Sequence, residues 1–367
     1  MDSTNVFGYF ILLFIFISLT YCLLKINTFK VILTKETFNY YTKLEGFRGF
    51  LALSVFFHHA LIHYNFLSLG VWQSPDSRFY TNLGQLAVGF FFITTAFLFT
   101  DKVNQSTDVN WDKLYQSRFK RILPMYIFAT LLVIIIAIAS SELSLFNIFK
   151  SEIENVLKAF GFGFYGYPDI GGIKNTFIIN AYVYWTLYFE WCFYLFLPML
   201  AFLNKKYKPT TLLILLTVLV FLSEKGFLYF FISGITLAKY KAHKFQINKY
   251  IYDIILVVGL LILLNMFKTA FGFKQALIAG ICFYCILNGN GLLNYLTALP
   301  VRWLGAISYS VYVLHGIVIS LAVMIMSALQ YKWTVTNYWI ITLLMGLSII
   351  LISSFSYVHI EKRFNQK

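Results

Sequence analysis

Charge is scarce in this chain. Asp, Glu, Lys and Arg make up 12% of its 367 residues, about half the roughly 25% usual in soluble domains. A charged, water-facing surface of ordinary size is therefore excluded, and with it an ordinary soluble protein. Cysteine is rarer still. Cys22, Cys192, Cys282 and Cys285 all fall inside apolar runs, which argues against a disulfide framework or a zinc site despite the C-x-x-C spacing of the last pair. No Pro/Gly/Ser-rich stretch is long enough to tether a second domain, and no internal repeat or low-complexity tract occurs.

What the chain has instead is hydrocarbon. Hydrophobic residues reach 59% and the mean hydropathy is +0.73. Eleven apolar runs stand near residues 6 to 25, 48 to 67, 82 to 100, 121 to 140, 181 to 203, 210 to 223, 226 to 239, 250 to 267, 272 to 288, 305 to 330 and 337 to 358. The expected fold is an all-α, polytopic integral membrane bundle of about eleven transmembrane helices. The runs at 210 to 223 and 226 to 239 are short enough to form a broken or re-entrant pair. Asp2, the following Lys25 and the lack of a small-x-small cleavage site mark the first run as a retained anchor rather than a signal peptide.

A net charge of +14 would suit nucleic acid, but the basic residues fall mostly in alternate loops. With the N-terminus outside, 21 of the 29 Lys and Arg residues lie in cytoplasmic segments, which is the positive-inside pattern. Topology thus accounts for the charge without a nucleic-acid partner, and membrane lipids are the expected surroundings. The bias predicts an N-out, C-in protein of the cytoplasmic (inner) membrane. The long outer connection, 141 to 180, carries Phe146, Phe149, Ile153, Val156, Leu157 and Phe160 at helical spacing with Glu152, Glu154 and Lys158 opposite. This predicts an amphipathic interfacial helix, followed from Gly161 to Gly172 by either a lid or an irregular loop.

Arg48 and His59 stand out within the second run. Eleven residues of α-helix return to within about 20° of the same face, some 16 Å further along the axis. An ionisable group that deep in hydrocarbon is costly and marks a functional position. Arg48 offers a permanent fork of donors for a phosphate or a thioester carbonyl, and a neutral His59 can take a proton from a hydroxyl. Snorkelling at a helix end would explain Arg48 alone. His58 points about 100° away and is the weaker candidate.

The residues around this pair, Leu44-Glu45-Gly46-Phe47-Arg48-Gly49 leading to His58-His59, closely resemble the signature helix of the acyltransferase family 3 membrane proteins, the group of O-antigen and other polysaccharide O-acetyltransferases. Further matches follow in the family's order. The run from Val88 to Leu98 is similar to Val-x-x-Phe-Phe-x-x-Ser-Gly-Phe, with Thr95 for Ser and Ala96 for Gly, a departure that adds bulk where helices pack closely. Arg118-Phe119-Lys120-Arg121-Ile122-Leu123-Pro124 resembles the basic helix start after the second cytoplasmic loop. Trp185-Thr186-Leu187-Tyr188-Phe189-Glu190 is similar to Trp-Ser-Leu-x-x-Glu, and Leu304-Gly305 through Tyr312 to His315 to Leu-Gly-x-x-Ser-Tyr-x-x-Tyr-x-x-His. Ile360-Glu361 with Phe364 matches the family's ending.

The resemblance implies a ten-helix core preceded here by one extra helix, so that 1–42 is an anchor helix with a cytoplasmic linker and 43–367 the acyltransferase domain. It implies acetyl-coenzyme A as donor, a hydroxyl of a surface polysaccharide, O-antigen sugar or lipid-linked glycan as acceptor, and no metal. The catalytic candidates are His59, Arg48 and Glu190, with Glu190 expected to pair with an Arg or His, to orient the imidazole, or to make a structural hydrogen bond. Arg118 and Arg121, at i and i+3, are candidates for the coenzyme A phosphates, although topology alone also explains them. Trp185, Tyr312 and His315 are the candidate substrate pocket, and Glu361 an ion-pairing residue at the cytoplasmic surface. Whether His59 acts as general base or transient acyl carrier stays open. The rival class is a transporter of a lipid, glycan or proton, for which buried His and Glu are equally natural; within the enzyme class, peptidoglycan or a small metabolite would be alternative acceptors.

Overall fold

The computed structural model describes residues 3–26, 40–106, 108–141, 145–240, 248–289 and 291–365. The linker lysines Lys30 and Lys35, then Lys241, Lys244 and Lys367, and the side chains of Phe146, Phe149 and Lys150 lie outside the described residues. Thirteen helices of eight residues or more carry the described chain: α1 Val6–Leu23, α2 Tyr40–Leu69, α3 Arg78–Gln105, α4 Trp111–Ala139, α5 Leu145–Ala159, α6 Tyr184–Lys206, α7 Pro209–Leu222, α8 Tyr229–Tyr240, α9 Lys249–Asn265, α10 Phe273–Asn288, α11 Leu299–Ala306, α12 Ser308–Ala328 and α13 Tyr338–Ser356. No strand occurs among the described residues, and the protein is an all-α membrane bundle. Among the described residues, seven helices are long and apolar enough to cross a membrane. Each of the eleven predicted runs coincides with helical chain, and the short pair is α7 and α8, of 14 and 12 residues. At 1.5 Å per residue these reach only about 21 and 18 Å, less than a hydrocarbon layer of about 30 Å.

Local chemistry sets the helix ends. Asn110 caps α4 by accepting from the Lys113 amide at 2.9 Å. Gly70, at φ +70°, ends α2 in the left-handed region where glycine carries no steric cost.

Close packing of α2 fixes the site. A Cβ on Gly49 would meet Leu304 Cβ at 2.6 Å, and one on Gly305 would collide with the Glu45 carbonyl, so α2 and α11 touch backbone to backbone. Arg302, one of the 21 basic residues that the charge pattern assigns to cytoplasmic segments, is buried in this contact, its Nε 2.9 Å from Glu45 Oε2. On another face α1 supports α2 through Tyr9, whose ring meets Phe57 edge to face at 4.9 Å. The bulk added by Ala96 on α3 is absorbed by α8: a Cβ at Gly234 would fall 2.6 Å from Ala96 Cβ. The glycine missing from one helix is supplied by its neighbour.

The stretch after α5, Gly161 to Gly172, is an irregular loop, and it is tied to its neighbours. Tyr126 of α4 donates to Ala159 O at 2.7 Å, accepts from the Phe162 amide at 2.8 Å and stacks on Phe162 at 4.1 Å. Glu152 accepts from the Gly171 and Gly172 amides. A short 3₁₀ turn, Thr176–Asn180, then leads to Ala181 and Tyr182, both at φ +56°. Irregular backbone beside spanning helices is tolerated where protein buries it or where it lines a cavity. Here it packs on α4 and α12.

Candidate active site

Helices α2, α3, α4, α6 and α12 enclose a cavity of about 580 Å³. Lys102, Gln105 and Ser106, all exposed at the C-terminal end of α3, and Tyr41 at the start of α2 form its mouth. Arg48 enters from α2, and Arg118 and Arg121 enter together from one face of α4. Among the described residues no carboxylate comes within ion-pair distance of these three arginines. Arg118 lies over the Phe99 ring at 4.9 Å, and its Nε is buried without a hydrogen-bond partner. Three guanidinium groups are gathered in one concavity, and each offers a planar fork of the kind that matches phosphate oxygens.

Glu190 is the only carboxylate among the described lining residues. It accepts hydrogen bonds from Tyr194 and, at 3.4 Å, from Thr95 Oγ1. Glu190 thus makes a hydrogen bond to the neighbouring α3 and lies within electrostatic reach of Arg48, and the threonine that replaces the family's serine keeps the hydroxyl.

Phe91, Thr186 and Tyr312 close the far end of the cavity. Tyr312 hydroxyl is 2.7 Å from Thr186 Oγ1, which itself donates to Val183 O at 2.9 Å. The Tyr312 ring centroid lies 5.7 Å from that of Phe91 and 6.0 Å from that of His315. Behind this partition His315 Nε2 stands 2.9 Å from His59 Nδ1. His315 Nδ1 lies 3.3 Å from Val311 O, and a carbonyl can only accept. In the neutral pair, therefore, the hydrogen bonds assign the proton of His315 to Nδ1; His315 Nε2 accepts from His59 Nδ1–H, and the lone pair of His59 remains on Nε2. His59 is the partly accessible member, whereas His315 is wholly buried.

Sequence reasoning did not couple these two histidines, which stand 256 positions apart. It also missed His63, whose Nδ1 lies 2.8 Å from His59 O and Nε2 3.3 Å from Ser320 Oγ. Trp72 was missed as well; its ring lies nearly parallel to that of His59, centroids 6.4 Å apart, and meets His63 edge-on at 4.8 Å. The available signal was that a histidine in an apolar helix needs a polar partner.

Not every candidate joins the site. Trp185 packs in an aromatic cluster with Phe92, Phe227 and Phe271 and does not line the cavity. His58 is buried, its Nδ1 2.8 Å from Tyr80 O, with its ring against Gly84. Glu361, placed from sequence at the surface, is 1% exposed. The π-turn Tyr357–Glu361 inserts an extra residue into the helix and turns this carboxylate inward to accept from Ser310, within electrostatic reach of Arg121 and Arg48. Cys282 and Cys285 are free and buried.

A family model described as an acyltransferase domain matches residues 41–358. The chain belongs to this acyltransferase family 3, and the protein is a membrane acyltransferase. No curated protein and no solved structure matches it.

Proposed function

We propose that the protein takes an acetyl group from cytoplasmic acetyl-coenzyme A and places it on a hydroxyl of a surface polysaccharide, O-antigen sugar or lipid-linked glycan. The observation that carries this reading is the arrangement of Arg48, Arg118 and Arg121 in a cavity whose closed end abuts the His59–His315 pair. The donor set suits coenzyme A, because its phosphates are anions and the lining toward the closed end, including Val88, Phe91 and Phe92, is apolar as the pantetheine arm requires.

In this reading Arg118 and Arg121, with Lys102 at the mouth, hold the phosphates, and Arg48 binds deeper. His59 Nε2 takes the proton of the acceptor hydroxyl, while His315 keeps the imidazole of His59 in the tautomer that leaves this nitrogen free. Glu190 anchors α6 to α3 and does not touch the imidazole. The side bearing Lys102 and Arg118 faces the cytoplasm, as the distribution of basic residues favours, and acceptor approaches from the side of Trp72. Purified protein supplied with labelled acetyl-coenzyme A and surface glycan should move label into an ester and should lose it slowly to water without acceptor. A donor that neither binds nor loses its acetyl group would contradict the reading.

A further inference from the structure

The partition between cavity and histidines is made of reactive atoms. Tyr312 sits one turn before His315 on α12, so its ring faces the imidazole while its hydroxyl reaches across to α6. Thr186 donates its own proton to Val183 O, so in the resting protein the phenol must be the donor in the 2.7 Å contact. The Tyr312 O–H is thus a hydrogen-bond donor at the closed end of a cavity that points at His59, held by a neutral hydroxyl that it can exchange for a stronger acceptor.

Resting on the reading above, we propose that Tyr312 is a catalytic residue, whose hydroxyl leaves Thr186 and donates to the thioester carbonyl oxygen as negative charge develops there. The acceptor hydroxyl oxygen forms a bond to the carbonyl carbon and gives its proton to His59 Nε2. The carbonyl π pair moves onto oxygen, where the Tyr312 O–H stabilises it without transferring its proton. Collapse breaks the carbon–sulfur bond, and the leaving sulfur takes the proton from His59. The products are the O-acyl ester and the free thiol, so atoms and charge balance. Of the two hydroxyls at the closed end, Tyr312 is the one free to donate, because that of Thr186 is committed to backbone. A buried donor aimed at the developing oxyanion is worth far more than one in water.

The test compares Tyr312→Phe with Thr186→Val, normalised to folded protein in the membrane. The two variants delete opposite ends of one hydrogen bond. If that bond were only a latch between α6 and α12, they would lose activity equally. The proposal predicts that Tyr312→Phe lowers kcat about 10² to 10³-fold with little change in KM for acetyl-coenzyme A, and that the loss in Thr186→Val is at least about ten times smaller, because the phenol remains. Equal losses in both variants, or a change confined to KM, would overturn the role of Tyr312 while leaving the acetyltransferase reading intact. Absence of acetyl transfer by the unmodified protein would overturn both.

Discussion

His315 Nε2 and His59 Nδ1 approach to 2.9 Å between α12 and α2, and this contact decides which nitrogen of His59 can act as a base. Replacing His315 by Leu removes the acceptor that holds the His59 Nδ1–H at 2.9 Å and weakens the preference for this tautomer. The expected result is a fall in kcat of about 10 to 10²-fold with KM for the donor unchanged, a smaller effect than direct loss of the base. Steady-state kinetics on membranes with matched amounts of folded protein will check it. His315→Gln, which retains an acceptor, should recover part of the loss.

The arginine cavity predicts a different kinetic signature. Arg121→Gln should raise KM for acetyl-coenzyme A about tenfold, since a charge-assisted hydrogen bond contributes roughly 1.5–3 kcal/mol. Arg48→Lys keeps the charge but loses the planar fork, so it should also impair turnover. Titration with coenzyme A, followed by thermal shift, measures the binding part separately. Unchanged donor affinity in both variants would remove coenzyme A from this cavity.

His58 offers the contrast, for its neighbours are structural. His58→Ala removes a ring packed on Gly84 and a hydrogen bond to Tyr80 O, which should destabilise the protein by about 2–4 kcal/mol. Activity per folded molecule should remain near normal. A thermal melt and an activity assay on the same sample test this.

Much of the fold could be read from the sequence because each run long and apolar enough to span must be helical in lipid. Two things could not. The inward turn of Glu361 depends on a π-turn, for which the local residues give no signal. The pairing of His59 with His315 depends on how α2 crosses α11, which leads into α12, and Gly49 and Gly305 meet backbone there at positions no periodicity relates. For the same reason Trp185, on the expected helix, turns to an aromatic cluster instead of the cavity, while Thr95 and Tyr194 supply the partners of Glu190.

Topology gives an independent prediction. The excess of basic residues in alternate loops predicts an N-terminus outside and a C-terminus inside. A single cysteine substituted at Thr4 or Ser74, in a protein otherwise free of reactive thiol, should be labelled by an impermeant reagent added from outside. One at Gln366 should react only after the membrane is opened. External labelling at Gln366 would reverse the side from which the donor enters.

The most direct measurement is acetylation of surface glycan by His59→Ala, read by mass spectrometry and normalised to folded protein in the membrane. The account predicts that the variant inserts and binds coenzyme A like the unmodified protein, yet loses acetyl transfer by a factor of about 10² to 10⁴, the usual contribution of a positioned general base. Near-normal acetylation by His59→Ala, or a greater loss with His58→Ala, would contradict it.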